Sequence, residues 1–268
     1  MSDRVRDIVI VGGGTSGWTA ACYLGAVLAT PNPAEQVQIT LIESKDIGII
    51  GVGEATLAHI KQIMSTIGID EGDFMRCCDG TFKSAIRFDG FREKGETWWH
   101  PFSQLSHVNN YAMVHLWLEA RRAGYQGSYA DAVAQDPEMC RRFLAPKTAD
   151  HKPYDGLVNY AYHIDTIKLG RYLRDLGKQR GVRHITDLVT DTAFDESGNI
   201  TAVSTQENGD IAGDLFIDCT GFRSLLLGKA LGEPFRSFND ALFNVNAVAM
   251  RVPNPEGKRD IRPYTTCS

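Results

Sequence analysis

The chain has 268 residues, of which 43% are hydrophobic and 23% are charged. This composition is typical of globular proteins and excludes collagen-like, coiled-coil and disordered chains. At this length we expect one large domain or two closely associated ones. The 28 basic residues are outnumbered by 33 acidic residues, which gives a net charge of −5 and argues against a general affinity for nucleic acid.

No apolar run approaches the roughly 20 residues that a membrane helix needs, so we predict a cytoplasmic protein without a signal peptide or membrane contact. The six cysteines contain no Cys-x-x-Cys pair and are interpreted as reduced thiols, with redox activity of the adjacent Cys77 and Cys78 as the alternative. His100, His107 and His115 lack metal-ligand spacing, and no metal site is predicted.

The N-terminal segment has the pattern of a nucleotide-binding βαβ unit. The β-branched run at 7–11 predicts a buried parallel strand, 18–28 a helix, and 38–43 a second strand ending in Glu43. Between the first strand and the helix lies the spacing Gly12-x-Gly14-x-x-Gly17.

These glycines suit a dinucleotide: the first permits a tight turn, the second a close approach of the pyrophosphate, and the third close packing of helix on strand. The phosphate would lie at the positive end of the helix dipole. We therefore predict that Glu43 accepts hydrogen bonds from a ribose and that the loop residues bind the pyrophosphate, namely Gly12, Gly14, Thr15, Ser16 and Gly17. The alternative is an ordinary glycine-rich turn.

The middle of the chain has a mixed pattern. Helical stretches at 57–67 and 111–123 alternate with polar, aromatic loops, and we predict that 57–160 is a substrate-facing insertion. A further helix is expected to begin at an Asp165 N-cap and to end at Gly181.

The region after this helix favours FAD over NAD. Strands are predicted at 182–186, 191–195 and 200–205, together forming a β-meander, and a buried strand at 214–218 ends in Asp218 before the small-residue turn Cys219-Thr220-Gly221. An acid at this position is similar to the element with which glutathione-reductase-like flavoproteins hold the flavin side of FAD; the alternative is an ordinary strand and turn. The predicted fold is therefore α/β, a glutathione-reductase-like FAD-binding Rossmann fold with a β-meander, in which 1–56 and 161–234 form the FAD-binding module.

Five segments, in order along essentially the whole chain, resemble the flavin-dependent tryptophan halogenases. They are Gly12-Gly13-Gly14-Thr15-Ser16-Gly17-Trp18-Thr19-Ala20-Ala21, Val52-Gly53-Glu54-Ala55-Thr56, Gly80-Thr81-Phe82-Lys83, Trp99-His100-Pro101-Phe102 and Asp218-Cys219-Thr220-Gly221-Phe222-Arg223.

The resemblance implies that reduced FAD, oxygen and a halide ion give hypohalous acid, which Lys83 delivers to tryptophan or another electron-rich aromatic. Read without the resemblance, Lys83 is a solvated surface lysine. His100 and Phe102 are expected to line the substrate site, with a packed aromatic cluster as the alternative. The resemblance adds further cofactor-binding residues, which are Val52, Gly53, Glu54, Ala55, Val189, Asp218 and Gly221.

Partners follow from the same resemblance. No second Gly-x-Gly-x-x-Gly for NAD(P)H is visible, so a separate flavin reductase is expected to supply reduced FAD by transient contact. A halide ion and a small aromatic substrate complete the set, and a homodimer is possible for such a fold.

The sequence departs from the family near its end. The Trp-x-Trp-x-Ile-Pro signature, a later acidic catalytic residue and the last flavin segment are absent, so we expect an N-terminal half in which 235–268 begins the substrate region. We further expect that residues 1–268 alone are inactive and that Leu242, Phe243 and Val248 lack cover. The alternatives are an aromatic hydroxylase of the same FAD fold, and a non-catalytic FAD-binding fragment.

Overall fold

A computed structural model describes residues 4–45, 48, 54–103, 107–109, 111–244, 246–250, 252–253 and 261–268. Within these residues the strands, in chain order, are β1 (Asp7–Val11), β2 (Gln38–Glu43), β3 (Glu54–Ala55), β4 (Thr81–Lys83), β5 (Ala85–Asp89), β6 (Thr97–Pro101), β7 (His107–Val108), β8 (Tyr111–Ala112), β9 (Ala161–Ile164), β10 (Arg183–Thr186), β11 (Val189–Phe194), β12 (Ile200–Thr205), β13 (Gly209–Ala212), β14 (Leu215–Asp218) and β15 (Tyr264–Cys267).

The α-helices of the same residues are α1 (Thr15–Val27), α2 (Ile60–Ile67), α3 (Glu71–Cys77), α4 (Met113–Arg122), α5 (Tyr129–Val133), α6 (Asp136–Arg141) and α7 (Thr166–Gln179). Short 3₁₀ turns lie at Pro33–Glu35 and Gly221–Arg223, and a π-helix spans Leu225–Ala230.

The chain divides into two compact units. The first comprises Met1–Val52, Thr66–Gly68 and Asp165–Arg251, and the second comprises Gly53–Ser65, Ile69–Ile164 and Val252–Ser268. The predicted insertion, 57–160, falls in the second unit apart from Thr66–Gly68. The final region predicted at 235–268 has residues in both units.

The first unit is built on a parallel sheet with the strand order β10-β2-β1-β14. The predicted bounds of β1 and β2 match the structure, and both strands are almost wholly buried, as the uninterrupted apolar sequence requires. Helix α1 connects them and begins three residues earlier than predicted. The Rossmann-type α/β prediction is confirmed.

Helix α7 packs against α1 in the same unit. The Asp165 carboxylate accepts hydrogen bonds from the amides of Ile167 and Lys168, which confirms the predicted N-cap. At the other end Gly181 follows the helix with a φ of +91°. A Cβ atom on Gly177 would lie 3.1 Å from the Trp18 ring, so close packing requires glycine there.

The β-meander prediction is wrong in one strand. The segment predicted at Val182–Thr186 forms β10, which pairs in parallel with β2, whereas the antiparallel meander consists of β11, β12 and β13. Strand β13 was not predicted, because only Ile211 of its four residues is buried and no alternation is visible. One apolar core joins the parallel sheet to the meander, and its buried members are Val9, Val11, Ile42, Ile185, Val203, Ile211 and Leu226.

The second unit contains three small sheets, with the strand orders β15-β5-β6, β3-β9-β4 and β7-β8. None of these strands was predicted, since each has only two to five residues and several pair with distant parts of the chain. Strand β15 pairs in parallel with β5, with Tyr264 opposite Ala85. A core forms at this junction from Ala85, Trp99, Ala130, Cys140 and Tyr264.

Three further observations concern the described residues. Leu242, Phe243 and Val248 are exposed. No helix there has both the length and the apolar character needed to cross a membrane. No group of three or more His, Cys, Asp or Glu side chains there has an arrangement that could hold a metal ion.

Candidate active site

Lys83 is a buried lysine, with 2% of its surface exposed. It ends β4, which pairs with β9 so that Lys83 lies opposite Ala161. Its Nζ donates hydrogen bonds to the carbonyl oxygens of Thr56, at 3.1 Å, and Ala55, at 3.3 Å. The same atom lies 5.2 Å from the centre of the Phe102 ring. The surface-lysine interpretation is therefore wrong.

Burial changes the proton affinity of this amine. Loss of hydration lowers the pKa of Lys83 from its usual 10.5, and the nearby Cys267 partly opposes that change. The hydrogen-bond acceptors are neutral carbonyls, which stabilise an ammonium less than a carboxylate would. The neutral amine is therefore easier to form here than in a solvated lysine.

An aromatic cavity of about 750 Å³ lies in the same unit. His100 and Phe102, the two residues expected at the substrate site, both line it, with their ring centres 6.4 Å apart. The remaining lining residues are Leu57, Ala58, His59, Trp98, Trp99, Pro101, Ser103, Ser128, Tyr129, Ala130 and Asn159. Most of the lining is apolar or aromatic, which suits a flat aromatic ligand.

The aromatic residues also pack among themselves. Trp98 stacks on Phe88 with ring centres 4.0 Å apart, and Trp99 meets Tyr264 edge to face. Trp98 and Trp99 thus pack against other rings and also line the cavity. Phe102 lines the same cavity, with its ring centre 5.2 Å from Lys83 Nζ. Sequence reasoning missed His59, Tyr129 and Asn159, which come from separate segments and carry no local signal.

A second buried group was missed altogether. Glu71, on α3, accepts hydrogen bonds from the hydroxyls of Tyr160 and Tyr162, both at 2.6 Å, and from Lys147 Nζ, also at 2.6 Å. The Tyr154 amide donates to it at 2.8 Å. Burial alone would raise the pKa of Glu71, but these hydrogen bonds outweigh it and the pKa is lowered. Because four protein donors already bind both of its oxygens, we interpret the Glu71 carboxylate as a residue that stabilises the fold.

In the first unit, the glycine loop has the geometry that was predicted. Gly12 has a φ of +111°, and a Cβ atom there would lie 2.3 Å from the Cys219 carbonyl oxygen. A Cβ atom on Gly17 would lie 1.9 Å from the Gly12 oxygen. Around Gly14, in contrast, no described atom lies within 4 Å of that position, so open space faces the residue predicted to contact a pyrophosphate.

The first turn of α1 fits an anionic ligand. Gly14 is its N-cap, no side chain caps the helix, and its first turn carries no acidic residue, so no side-chain cap occupies the amides at the positive end of the helix dipole. Thr15 begins the helix, and Ser16 donates to the Cys219 sulfur at 3.7 Å. The Cys219 amide donates to the Val11 carbonyl at 2.8 Å, which brings the two predicted flavin motifs side by side.

Glu43 has a partner that the sequence did not suggest. His184 Nε2, on β10, lies 2.7 Å from Glu43 Oε1, while Oε2 lies beside Gly13, where a Cβ atom would be only 1.8 Å away. His184 also meets Trp18 edge to face at 5.1 Å. The carboxylate is therefore held at the end of β2 beneath the glycine loop.

The Asp218 side chain serves the local backbone. Its Oδ1 accepts from the amide and hydroxyl of Thr220, and its Oδ2 from the amides of Leu226 and Leu227 at the start of the π-helix. Gly221 follows with a φ of +61°. Both carboxylate oxygens are thus engaged with the turn, so Asp218 shapes the segment that faces the glycine loop.

The remaining predicted cofactor residues belong to separate segments of the chain. Val189 begins β11 and packs, half-buried, against the core of the first unit. Val52 and Gly53 lie outside the described residues. Glu54 is exposed and Ala55 is half-buried in β3, where the Ala55 carbonyl contacts Lys83.

The chain was compared with known proteins. The tryptophan halogenase family model matches residues 7–268. Tryptophan 6-halogenase SttH of Streptomyces toxytricini is 37% identical over 99% of this chain and 53% of its own length. Tryptophan 7-halogenase RebH of Lentzea aerocolonigenes is 34% identical over 99% of this chain and 52% of its own length.

A solved structure gives the same result. The crystal structure of the tryptophan halogenase from Shewanella frigidimarina superposes with a TM-score of 0.82 at 38% identity, covering 90% of this chain and 47% of that chain. The chain spans about half the length of the curated relatives it matches. The family model covers nearly every residue, and the glycine loop, the Lys83 segment and the Asp218 turn lie in the matched range: the chain belongs to the tryptophan halogenase family.

Proposed function

We propose that the protein is an FAD-dependent halogenase in which Lys83 directs the halogenating agent to an aromatic substrate. The observation that carries this proposal is the buried Lys83 amine, which contacts neutral carbonyls and the Phe102 ring of an aromatic cavity. An aromatic hydroxylase of the same fold would not need a buried amine there. The observation therefore favours the halogenase.

The residues of the first unit are suited to hold FAD. The open space at Gly14 and the uncapped start of α1 would accept the pyrophosphate, with Gly12, Thr15, Ser16 and Gly17 in the same loop. Glu43 would accept hydrogen bonds from the ribose through Oε2, and the Asp218–Gly221 turn would shape the flavin side. When bound in reduced form, FAD would supply the electrons that activate oxygen for oxidation of a halide.

Lys83 would act on the resulting hypohalous acid. As an ammonium it can donate a hydrogen bond to the oxidant and polarise it, and as a neutral amine it can carry the halogen as a haloamine. Its lowered pKa brings the two forms closer in free energy near neutral pH. The Phe102 ring would hold the substrate next to this amine, with His100 on the same wall.

The proposal includes the partners that such chemistry requires. These are a halide ion, tryptophan or another small indole, and a separate flavin reductase that makes transient contact. The printed names of SttH and RebH support tryptophan as the first substrate to test. We also propose a cytoplasmic location, which the six free thiols support, and a homodimer.

The test is a product assay with FAD, a flavin reductase, NADH, bromide and tryptophan, read by liquid chromatography and mass spectrometry. Because the chain spans about half of its relatives' length, it is assayed alone and joined to the complementary half of SttH. From the joined form we expect a bromide-dependent product that is lost in Lys83→Met, while FAD binding is retained; the chain alone is expected to be inactive. A hydroxylated product independent of halide, or full activity in Lys83→Met, would contradict the proposal.

A further inference from the structure

Asp136 is a fully buried carboxylate that contacts two residues of the aromatic cavity's lining, Phe102 and Ser103. It is the first residue of α6 and has no exposed surface. A single oxygen, Oδ1, accepts three hydrogen bonds: from the Phe102 amide at 3.2 Å, the Ser103 amide at 3.1 Å and the Ser103 hydroxyl at 3.0 Å. One atom of α6 therefore fixes the backbone at the end of β6.

Phe102 is held from two other directions as well. Its amide also donates to the Ser84 carbonyl at 3.2 Å, and its own carbonyl accepts from Asn159 Nδ2 at 3.0 Å. Ser84 directly follows Lys83 in the chain, so the same contacts tie Phe102 to the strand region that carries the lysine. Hydrogen bonds to the amide and carbonyl of Phe102 thus fix where this residue lies relative to Lys83.

Stability does not explain why a carboxylate is buried at position 136, because its surroundings make its burial unfavourable for folding. Its three donors are two amides and a hydroxyl, none of which carries a charge, and its second oxygen, Oδ2, is buried without a hydrogen-bond partner among the described residues. A buried charge and an unsatisfied polar atom both oppose folding. What the carboxylate achieves is the orientation of two consecutive amides, which an apolar residue could not provide.

We propose that Asp136 is a positioning residue, whose Oδ1 holds the Phe102–Ser103 backbone so that the Phe102 ring covers Lys83 and forms one wall of the aromatic cavity. The effect on halogenation rests on the proposed function; the effect on the cavity does not. Asp136 touches neither substrate nor cofactor in this proposal. It acts through Phe102.

The proposal requires an acceptor at Oδ1, not a negative charge. Asp136→Asn retains that acceptor and places an amide group at the unpartnered Oδ2 position, whereas Asp136→Ala removes the acceptor. Asp175→Ala is the matched control, because Asp175 is an exposed aspartate on α7 in the first unit.

The first measurement uses the chain itself. Hydrogen exchange of the Phe102 and Ser103 amides and the Kd for indole are compared among the three variants, with FAD affinity and Tm measured in parallel. Loss of hydrogen bonds to a charged acceptor predicts roughly 10- to 100-fold faster exchange and weaker indole binding in Asp136→Ala. Asp136→Asn and Asp175→Ala should stay within about threefold of wild type, and FAD affinity should be unchanged in all three.

The second measurement is bromination by the joined form described above, where Asp136→Ala should lower kcat more than it raises KM and Asp136→Asn should restore kcat. Should Asp136→Ala not fold, Ser103→Ala, which removes one of the three donors, should give a smaller change in the same direction. Unchanged amide exchange and indole binding in Asp136→Ala would overturn the proposal. So would a parallel loss of FAD affinity, indole affinity and Tm that Asn does not restore. Altered exchange and indole binding in an enzyme that brominates nothing would support Asp136 while rejecting the halogenase.

Discussion

His184 Nε2 lies 2.7 Å from Glu43 Oε1, so a residue of β10 orients the carboxylate that ends β2. This contact leaves Oε2 as the oxygen nearer the glycine loop. The Glu43 carboxylate is therefore held by a partner 141 positions away in the chain.

We predict that His184→Ala weakens FAD binding about tenfold, because Glu43 loses the hydrogen bond that fixes its orientation. His184→Gln, which keeps a side-chain donor, should recover most of the affinity. FAD titration followed by flavin fluorescence measures both, with the exposed His115→Ala as control. An unchanged Kd in His184→Ala would mean that the β2 strand alone positions Glu43.

Two glycines of the same loop should behave differently. Gly14 has φ −70° and ψ −177°, a conformation open to any residue, and open space beside it, so Gly14→Val should fold but bind FAD at least roughly 100-fold more weakly through loss of pyrophosphate contacts. Gly17→Ala should instead destabilise the fold by about 3 kcal/mol or more, because its Cβ would overlap the Gly12 oxygen.

The control for this pair is Gly25→Ala on the same helix. A Cβ atom there meets only Ile39 Cδ1, at 3.8 Å, so its Tm and FAD affinity should be close to wild type. A Gly14→Val variant with normal FAD affinity would show that the loop does not contact the pyrophosphate.

Sequence patterns predicted the first strand, the glycine loop and the helix N-cap of the first unit because the causes of these features are local. An uninterrupted apolar run defines β1, a fixed glycine spacing defines the loop, and Asp165 caps the helix that it precedes. The Asp218 turn lies beside the loop because its strand, β14, pairs in parallel with β1, and both strands end at the same edge of the sheet; this pairing was not predicted from the sequence.

The second unit could not be predicted in this way. Its strands are short, and their partners are far apart: Lys83 pairs with Ala161, and Ala85 with Tyr264. The burial of Lys83 and the three donors on Asp136 Oδ1 arise from these long-range pairings, which leave no periodic signal in the chain.

The lowered pKa of Lys83 gives a pH-dependent stability. Between that lowered pKa and 10.5 the unfolded chain binds more protons at this residue than the folded chain, so the free energy of unfolding gains from rising pH. We expect wild type to gain stability relative to Lys83→Met across this range, by about 1.4 kcal/mol for each unit of pKa lowering.

Chemical denaturation at a series of pH values measures this difference. The exposed Lys178→Met variant controls for loss of a positive charge. A difference between Lys83→Met and wild type that stays constant from neutral pH to pH 10.5 would show that burial does not penalise the ammonium.

Glu71 should give the same sign of pH dependence in the acid range, because its pKa is also lowered in the folded chain. Removal of this buried carboxylate in Glu71→Ala leaves Lys147 and two tyrosine hydroxyls without their partner. We expect this change to lower the free energy of unfolding by about 3–5 kcal/mol. The pKa of Glu71 is lowered from its usual 4.5. The stabilisation of the fold by this carboxylate is therefore fully present above pH 4.5 and is lost as the pH falls through the lowered pKa.

Urea unfolding of wild type and Glu71→Gln from pH 7 to pH 3 tests the sign. The difference between them should be constant at the upper end and shrink in acid. The exposed Glu196→Gln serves as control, and a difference that grows in acid would be inconsistent with an ionised Glu71.

The two carbonyls that hold the Lys83 ammonium belong to Ala55 and Thr56, in the segment whose preceding residues are predicted to contact FAD. A ligand that displaces these carbonyls changes the free energy of protonating Lys83. Thermodynamic linkage then makes the effect reciprocal, so that protonation of Lys83 changes the affinity for that ligand by the same factor. For any ligand that displaces these carbonyls, occupancy and the basicity of the Lys83 amine would consequently be coupled quantities, each of which can be read from the other.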